Sequence, residues 1–108
     1  VGTRLSEMAV HHGVCYLAGQ VADDATQDIR GQTRQVLASI DALLARARSD
    51  KSRILMCQIF LADLADFAGM NEVWEAWLPA GQAPPRATVL AQLAKPQWKV
   101  EMVVTAAV

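Results

Sequence analysis

The sequence predicts an α/β domain, more narrowly α+β, with the element order β-β-α-β-α-β-β over residues 1–108. Two stretches place apolar residues at helical spacing, and short runs rich in β-formers precede, separate and follow them. With 108 residues and 53% hydrophobic content, the chain has material for one respectable core and no sign of a second domain.

Met8-Ala9-Val10-His11 and Val14-Cys15-Tyr16-Leu17-Ala18 are short β-prone runs joined by His12-Gly13, the signature of a tight hairpin. Gly19-Gln20 closes the second strand. Asp28 is a suitable N-cap, and Ile29, Val36, Leu37, Ile40, Leu43, Leu44 and Ala47 then recur at helical spacing, predicting a long amphipathic helix to about Arg48. Residues 54–61, Ile54-Leu55-Met56-Cys57-Gln58-Ile59-Phe60-Leu61, read as a central strand buried on both faces. Asp66 can cap a second helix whose inward stripe is Phe67, Met70, Val73, Trp74 and Trp77, with Pro79 stopping it. The loop over 80–85 leads to a strand over 86–93, and Lys95-Pro96 turns the chain into a last strand over 99–107. Crossovers of this kind set both helices on one face of a mixed sheet and leave the other face bare. So much apolar material in so small a chain favours a homo-oligomer packed through that face.

The net charge of −1 and a pI of about 6.1 provide no general attraction to phosphate backbones or anionic lipid, so neither nucleic acid nor a membrane is the expected partner. The cluster Arg46, Arg48, Lys51 and Arg53 reads as a solvated helix end. Cys15 and Cys57 lie in separate apolar runs without metal or redox spacing, as small core hydrophobes of a reducing compartment do. No apolar run reaches a membrane span and no signal pattern opens the sequence, so the expected location is cytoplasmic. His11-His12 has no further ligands at metal spacing, and no metal is expected.

Two charged residues stand out inside apolar strand-like runs: Arg86 in Pro84-Pro85-Arg86-Ala87-Thr88-Val89, and Glu101 in Lys99-Val100-Glu101-Met102-Val103. Charged side chains are rarely buried unless paired or used, so each calls for a partner or a ligand, and a small anion suits the arginine. If the last two strands formed a hairpin turning near Pro96, Glu101 would lie opposite Ala91, about 13–20 Å along the strand from Arg86. On that register one chain could not clamp a small molecule between them, and neighbouring subunits would share the site.

Val14-Cys15-Tyr16-Leu17-Ala18-Gly19-Gln20, Gln32-Thr33-Arg34-Gln35-Val36-Leu37, Asp66-Phe67-Ala68-Gly69-Met70-Asn71-Glu72-Val73, and Pro85-Arg86-Ala87-Thr88-Val89 with Val100-Glu101 occur in one order. In these motifs, from about Met8 to the C-terminus, the chain resembles the Rid/YjgF family of reactive-intermediate deaminases, also labelled endoribonuclease L-PSP. The resemblance implies a chorismate-mutase-like fold, with three subunits around a central β-barrel beneath outer helices. It implies cofactor-free hydrolysis of small 2-imino acids or their enamines, such as 2-iminopropanoate and 2-iminobutanoate, to 2-keto acids and ammonia. In that reading Arg86 holds the substrate carboxylate in a bidentate fork and Glu101 positions or activates water. Gly19 and Thr88 line the pocket, and Asn71 lies near it. The family also carries labels for RNA cleavage and translation inhibition, and a non-catalytic metabolite sensor would use the same pocket. Thr88 stands where many members have cysteine, Leu5 near where an aromatic often closes the pocket, and Arg48 where glycine is usual.

Overall fold

The computed structural model describes residues 4–108. Its elements, in chain order, are β1 (Met8–His11), β2 (Val14–Leu17), α1 (Ile29–Arg46), β3 (Ile54–Leu61), α2 (Phe67–Trp77), β4 (Arg86–Leu90) and β5 (Val100–Ala107), with 3-10 turns at Lys51–Arg53 and Leu64–Asp66. The order is the predicted one, and both helices lie on one face of a five-stranded mixed sheet.

Local chemistry explains most boundaries. His12 and Gly13 take φ of 51° and 78°, the two positive values a two-residue hairpin turn requires, and His11 pairs with Val14 across it. Asp28 caps α1 by accepting from the Gly31 N–H at 2.8 Å. The predicted stripe of α1 is buried from Ile29 to Leu44, with Ala47 half-buried. At its far end Arg48 has φ 60°, and the Ser49 N–H reaches back to the Leu44 carbonyl at 2.8 Å in a left-handed C-cap.

The second helix departs from expectation. Asp66 precedes α2 but makes no capping bond, because its backbone is already helical; Asp63 caps the preceding 3-10 turn through Ala65 N–H instead. Met70, Val73 and Trp74 face inward, whereas Phe67 in the first turn is exposed and Trp77 is half-buried.

The sheet order is β1-β2-β5-β3-β4, so β3 lies between the last two strands and the predicted hairpin near Pro96 does not form. β4 runs parallel to β3 after the α2 crossover, and β5 pairs antiparallel on the other edge of β3. The loop over 91–99 therefore crosses the end of β3, pinned by Ala91 N–H to Leu61 O at 2.9 Å and Ala62 N–H to Lys99 O at 3.1 Å. β4 stops at Leu90 rather than residue 93 because Leu90 pairs with Leu61, the last residue of β3.

The core fills the helix side of the sheet. Cys57, Ile59 and Leu61 of β3 and Val100, Met102, Val104 and Ala106 of β5 pack there against Val36, Leu37, Ile40, Leu44, Met70 and Trp74. Both free cysteines are buried in this core. The described residues do not cover the other face of β3: Met56 and Gln58 are exposed there, so burial on both faces is not reached. Tyr16, Met56 and Val89 lie on this open face with relative exposures of 49%, 42% and 49%, an apolar surface of the kind that associates.

Candidate active site

Arg86 opens β4, the edge strand, directly after Pro84-Pro85. The Pro85 carbonyl accepts from Cys57 N–H at 3.0 Å, which fixes the approach of this segment to β3. Arg86 pairs with Cys57, a core residue, so its side chain leaves the sheet on the helix face. Its guanidinium lies over the ring of Trp74 from α2, 5.4 Å from the centroid. The residue is half-buried, and among the described residues no carboxylate stands within ion-pair distance of it. A cation placed on an aromatic platform without a counter-charge is suited to an incoming anion.

Thr88 follows two residues later on the same face, paired with Ile59, and its Oγ1 is buried without a hydrogen-bond partner among the described residues. Asn71 stands three residues before Trp74 on α2, and its Oδ1 is likewise buried and unpartnered. Cys57 is held neutral: burial pushes its thiol up to about 12, against a smaller downward pull from the Arg86 charge. Such a thiol is structural, not a nucleophile.

Glu101 sits on β5 opposite Phe60 and points to the open face, alternating with the buried Val100 and Met102. Gly19 follows β2, and the adjacent Gln20 is bridged to Met102 by two backbone bonds of 2.8 and 3.1 Å. Glu101 Oε2 occupies the space that a Cβ at position 19 would take. Glycine there lets the carboxylate lie over the backbone of the neighbouring segment.

The chain thus carries two groups of the singled-out residues. Arg86 and Thr88 are on the helix face at the β4 edge, while Gly19 and Glu101 are on the open face around β5. With Arg86 level with Cys57 and Glu101 level with Phe60, their Cα atoms are about 14 Å apart, from two strand spacings and three residues of rise. This register replaces the hairpin estimate, and the sheet itself separates the two side chains.

His11 and His12 are exposed at the hairpin turn with rings stacked 3.9 Å apart. Among the described residues no three His, Cys, Asp or Glu side chains gather to hold a metal ion. No helix among them is long and apolar enough to cross a membrane.

Trp74 and Gln32 were not singled out from sequence as site residues. Trp74 shows only as a core position on the α2 stripe; its role under Arg86 depends on the α2-to-β4 crossover. Gln32 left a signal, being a polar residue on the apolar stripe between Ile29 and Val36.

A mixed five-stranded sheet with two helices on one face defines a small α+β domain. Residues 2–108 match the model of the family described as Endoribonuclease L-PSP, and the chain belongs to that family. It is 50% identical over 108 residues to a RutC family protein of Haemophilus ducreyi, spanning 100% of this chain and 92% of that one. A solved structure of NMB1025, a member of the YjgF protein family from Neisseria meningitidis, is 43% identical with a TM-score of 0.96, over 99% of this chain and 89% of that chain. A more distant relative, Reactive Intermediate Deaminase A, chloroplastic, from Arabidopsis thaliana, is 34% identical over 76 residues, 70% of this chain and 40% of that protein.

Proposed function

We propose that this protein is a homotrimeric, cofactor-free hydrolase of small 2-imino acids, with active sites shared between subunits. The observation that carries the reading is Arg86: a half-buried guanidinium on the Trp74 ring, without a carboxylate partner among the described residues. A planar fork in a partly desolvated setting suits a 2-imino or 2-keto carboxylate better than a diffuse phosphate backbone, and the net charge of −1 fits that preference. The relationship to a protein named as a reactive intermediate deaminase supports the same chemistry.

In this reading Arg86 of one subunit holds the substrate carboxylate beside Thr88, and Glu101 of a neighbour lies across the interface with Gly19. The imine carbon is already electrophilic, so binding, a placed water and a proton path suffice. Glu101 accepts a proton as water adds to C2, giving a carbinolamine. Glu101 passes that proton to the imine nitrogen as the C=N π bond opens, then carries the carbinolamine's hydroxyl proton to the same nitrogen; the C–N bond breaks, C=O forms, and ammonia leaves with the 2-keto acid. Packing of the open faces around Tyr16, Met56 and Val89 would cover the apolar surface, and the reading requires that it also set the β4 edge of one subunit, which carries Arg86, beside the Gly19 and Glu101 of the next.

The test is ammonia release from freshly generated 2-iminopropanoate and 2-iminobutanoate, corrected for spontaneous hydrolysis. Glu101→Gln keeps size and hydrogen bonding but cannot accept a proton, and turnover should fall about 10²–10⁴-fold while keto-acid binding survives. Wild-type turnover in that variant would remove Glu101 from the chemistry.

A further inference from the structure

Gln32 is fully buried on the inner face of α1, and its amide bonds entirely to backbone outside the helix. Oε1 accepts from Lys99 N–H at 2.9 Å. Nε2 faces the carbonyls of Ala25, Gln27 and Gln97, each at 3.1 Å, so its two hydrogens serve three acceptors.

These partners belong to two segments remote in sequence. Residues 25–27 lie on the path from Gly19-Gln20 to α1, and residues 97–99 enter β5 two positions before Glu101. The same two segments meet again at the Gln20–Met102 bridge. Between them opens a cavity of about 680 Å³ lined by residues 21–26, Lys95, Gln97 and Trp98. Side-chain packing does not close that gap, so the backbone bridge at one end and the Gln32 amide at the other hold the segments in register. A polar side chain on an apolar stripe is costly unless its hydrogen bonds are made, and here they are made to the segments that carry Gly19 and Glu101.

We infer that Gln32 is a positioning residue for the Glu101 half of the site; this rests on the function proposed above. Fully buried and bonded to backbone through both amide atoms, it acts through those segments. Loss of its amide would let the Glu101 carboxylate drift over Gly19, and a drift of about 1 Å is enough to cost about 100-fold in rate.

The experiment compares the assembled wild-type protein with Gln32→Met, which keeps length and removes both donor and acceptor. Residue-resolved amide exchange should accelerate about tenfold or more at Gln20 and Met102 and stay unchanged at the centre of β3. Turnover should fall about 10- to 100-fold while the dissociation constant for 2-ketobutyrate, held by Arg86, changes less than twofold. Uniform acceleration across the sheet, or binding lost in step with turnover, would overturn the assignment in favour of a merely structural role. Should Gln32→Met not fold, Gln32→Glu keeps the acceptor for Lys99 and is read at Gln20. If wild-type protein turns over no imine, the proposed function falls, and exchange at Gln20 and Met102 still decides the Gln32 claim by the same localised or uniform result.

Discussion

Arg86 and Glu101 stand on the two strands that flank β3, three positions apart along it and on opposite faces of the sheet. No side-chain rotation brings them together, because β3 and its core side chains lie between. A mechanism that uses both on one small molecule therefore requires a second copy of the chain.

Replacing Arg86 separates charge from geometry. Arg86→Lys keeps the cation but loses the planar fork, and it should bind 2-keto acids more weakly than wild type. Arg86→Ala should lose about 2–5 kcal/mol of binding, much of it from the unpaired ligand carboxylate. Calorimetric titration with pyruvate and 2-ketobutyrate reads both; unchanged affinity in Arg86→Ala would exclude Arg86 as the anchor.

Gly19→Ala should act on turnover more than on stability. The new Cβ meets the end of the Glu101 side chain, which can swing aside at a cost of less than about 1 kcal/mol, but the carboxylate then leaves its place over the backbone. The expected outcome is a melting temperature within a few degrees of wild type with at least a tenfold fall in kcat. Full activity in Gly19→Ala would mean that this placement of the carboxylate has no bearing on catalysis.

Arg48→Gly should stabilise the fold. Arg48 holds φ 60°, where a Cβ is strained and glycine is not, at a position where the Ser49 N–H closes the end of α1. Relief of about 0.5–1 kcal/mol is expected, set against the entropy glycine loses on folding. Denaturant titration measures it, and a destabilised variant would show that the arginine side chain contributes more than its backbone strain costs.

Cys57 gives the protein a specific alkaline weakness. Its thiol is raised from 9.0 to about 12 in the fold, so the folded state keeps the proton while the unfolded chain releases it. The associated stability is complete below pH 9 and is lost as pH rises from there to about 12. The loss amounts to roughly 1 kcal/mol by pH 10. Cys57→Ala should be less stable than wild type at pH 8, and the gap should narrow by about that amount at pH 10. A gap independent of pH would contradict the burial argument.

What was legible in the sequence was local. The hairpin at His12-Gly13, the Asp28 cap and the α1 stripe each depend on residues within a few positions of one another, and each formed as read. The position of β3 between β4 and β5 was not legible, because sequential strands ordinarily adjoin and the α2 crossover alone does not say on which edge the chain returns. That one non-local fact changed the route between Arg86 and Glu101, shortened β4 and set Trp74 beneath the guanidinium. Phe67 and Asp66 failed for a smaller reason: a 3-10 turn capped by Asp63 already begins the helical path, so Asp66 has no capping role and Phe67 falls outside the inward stripe that starts at Met70. Arg86 and Glu101 could be singled out because a charge in an apolar run is conspicuous. Gln32 left a weaker signal, a neutral amide on the apolar stripe of α1, whose meaning depends on bonding partners remote in sequence.

The central claim is that each active site takes Arg86 from one chain and Glu101 from another. Arg86→Ala and Glu101→Ala proteins, each inactive alone, are unfolded together, refolded, and the mixed trimers isolated by two different affinity tags. Imine-dependent ammonia release should return in the mixed trimers, since a subunit interface that joins an intact Arg86 to an intact Glu101 forms a complete site. Mixed trimers as inactive as their parents, or a stable monomer with full activity, would contradict the account.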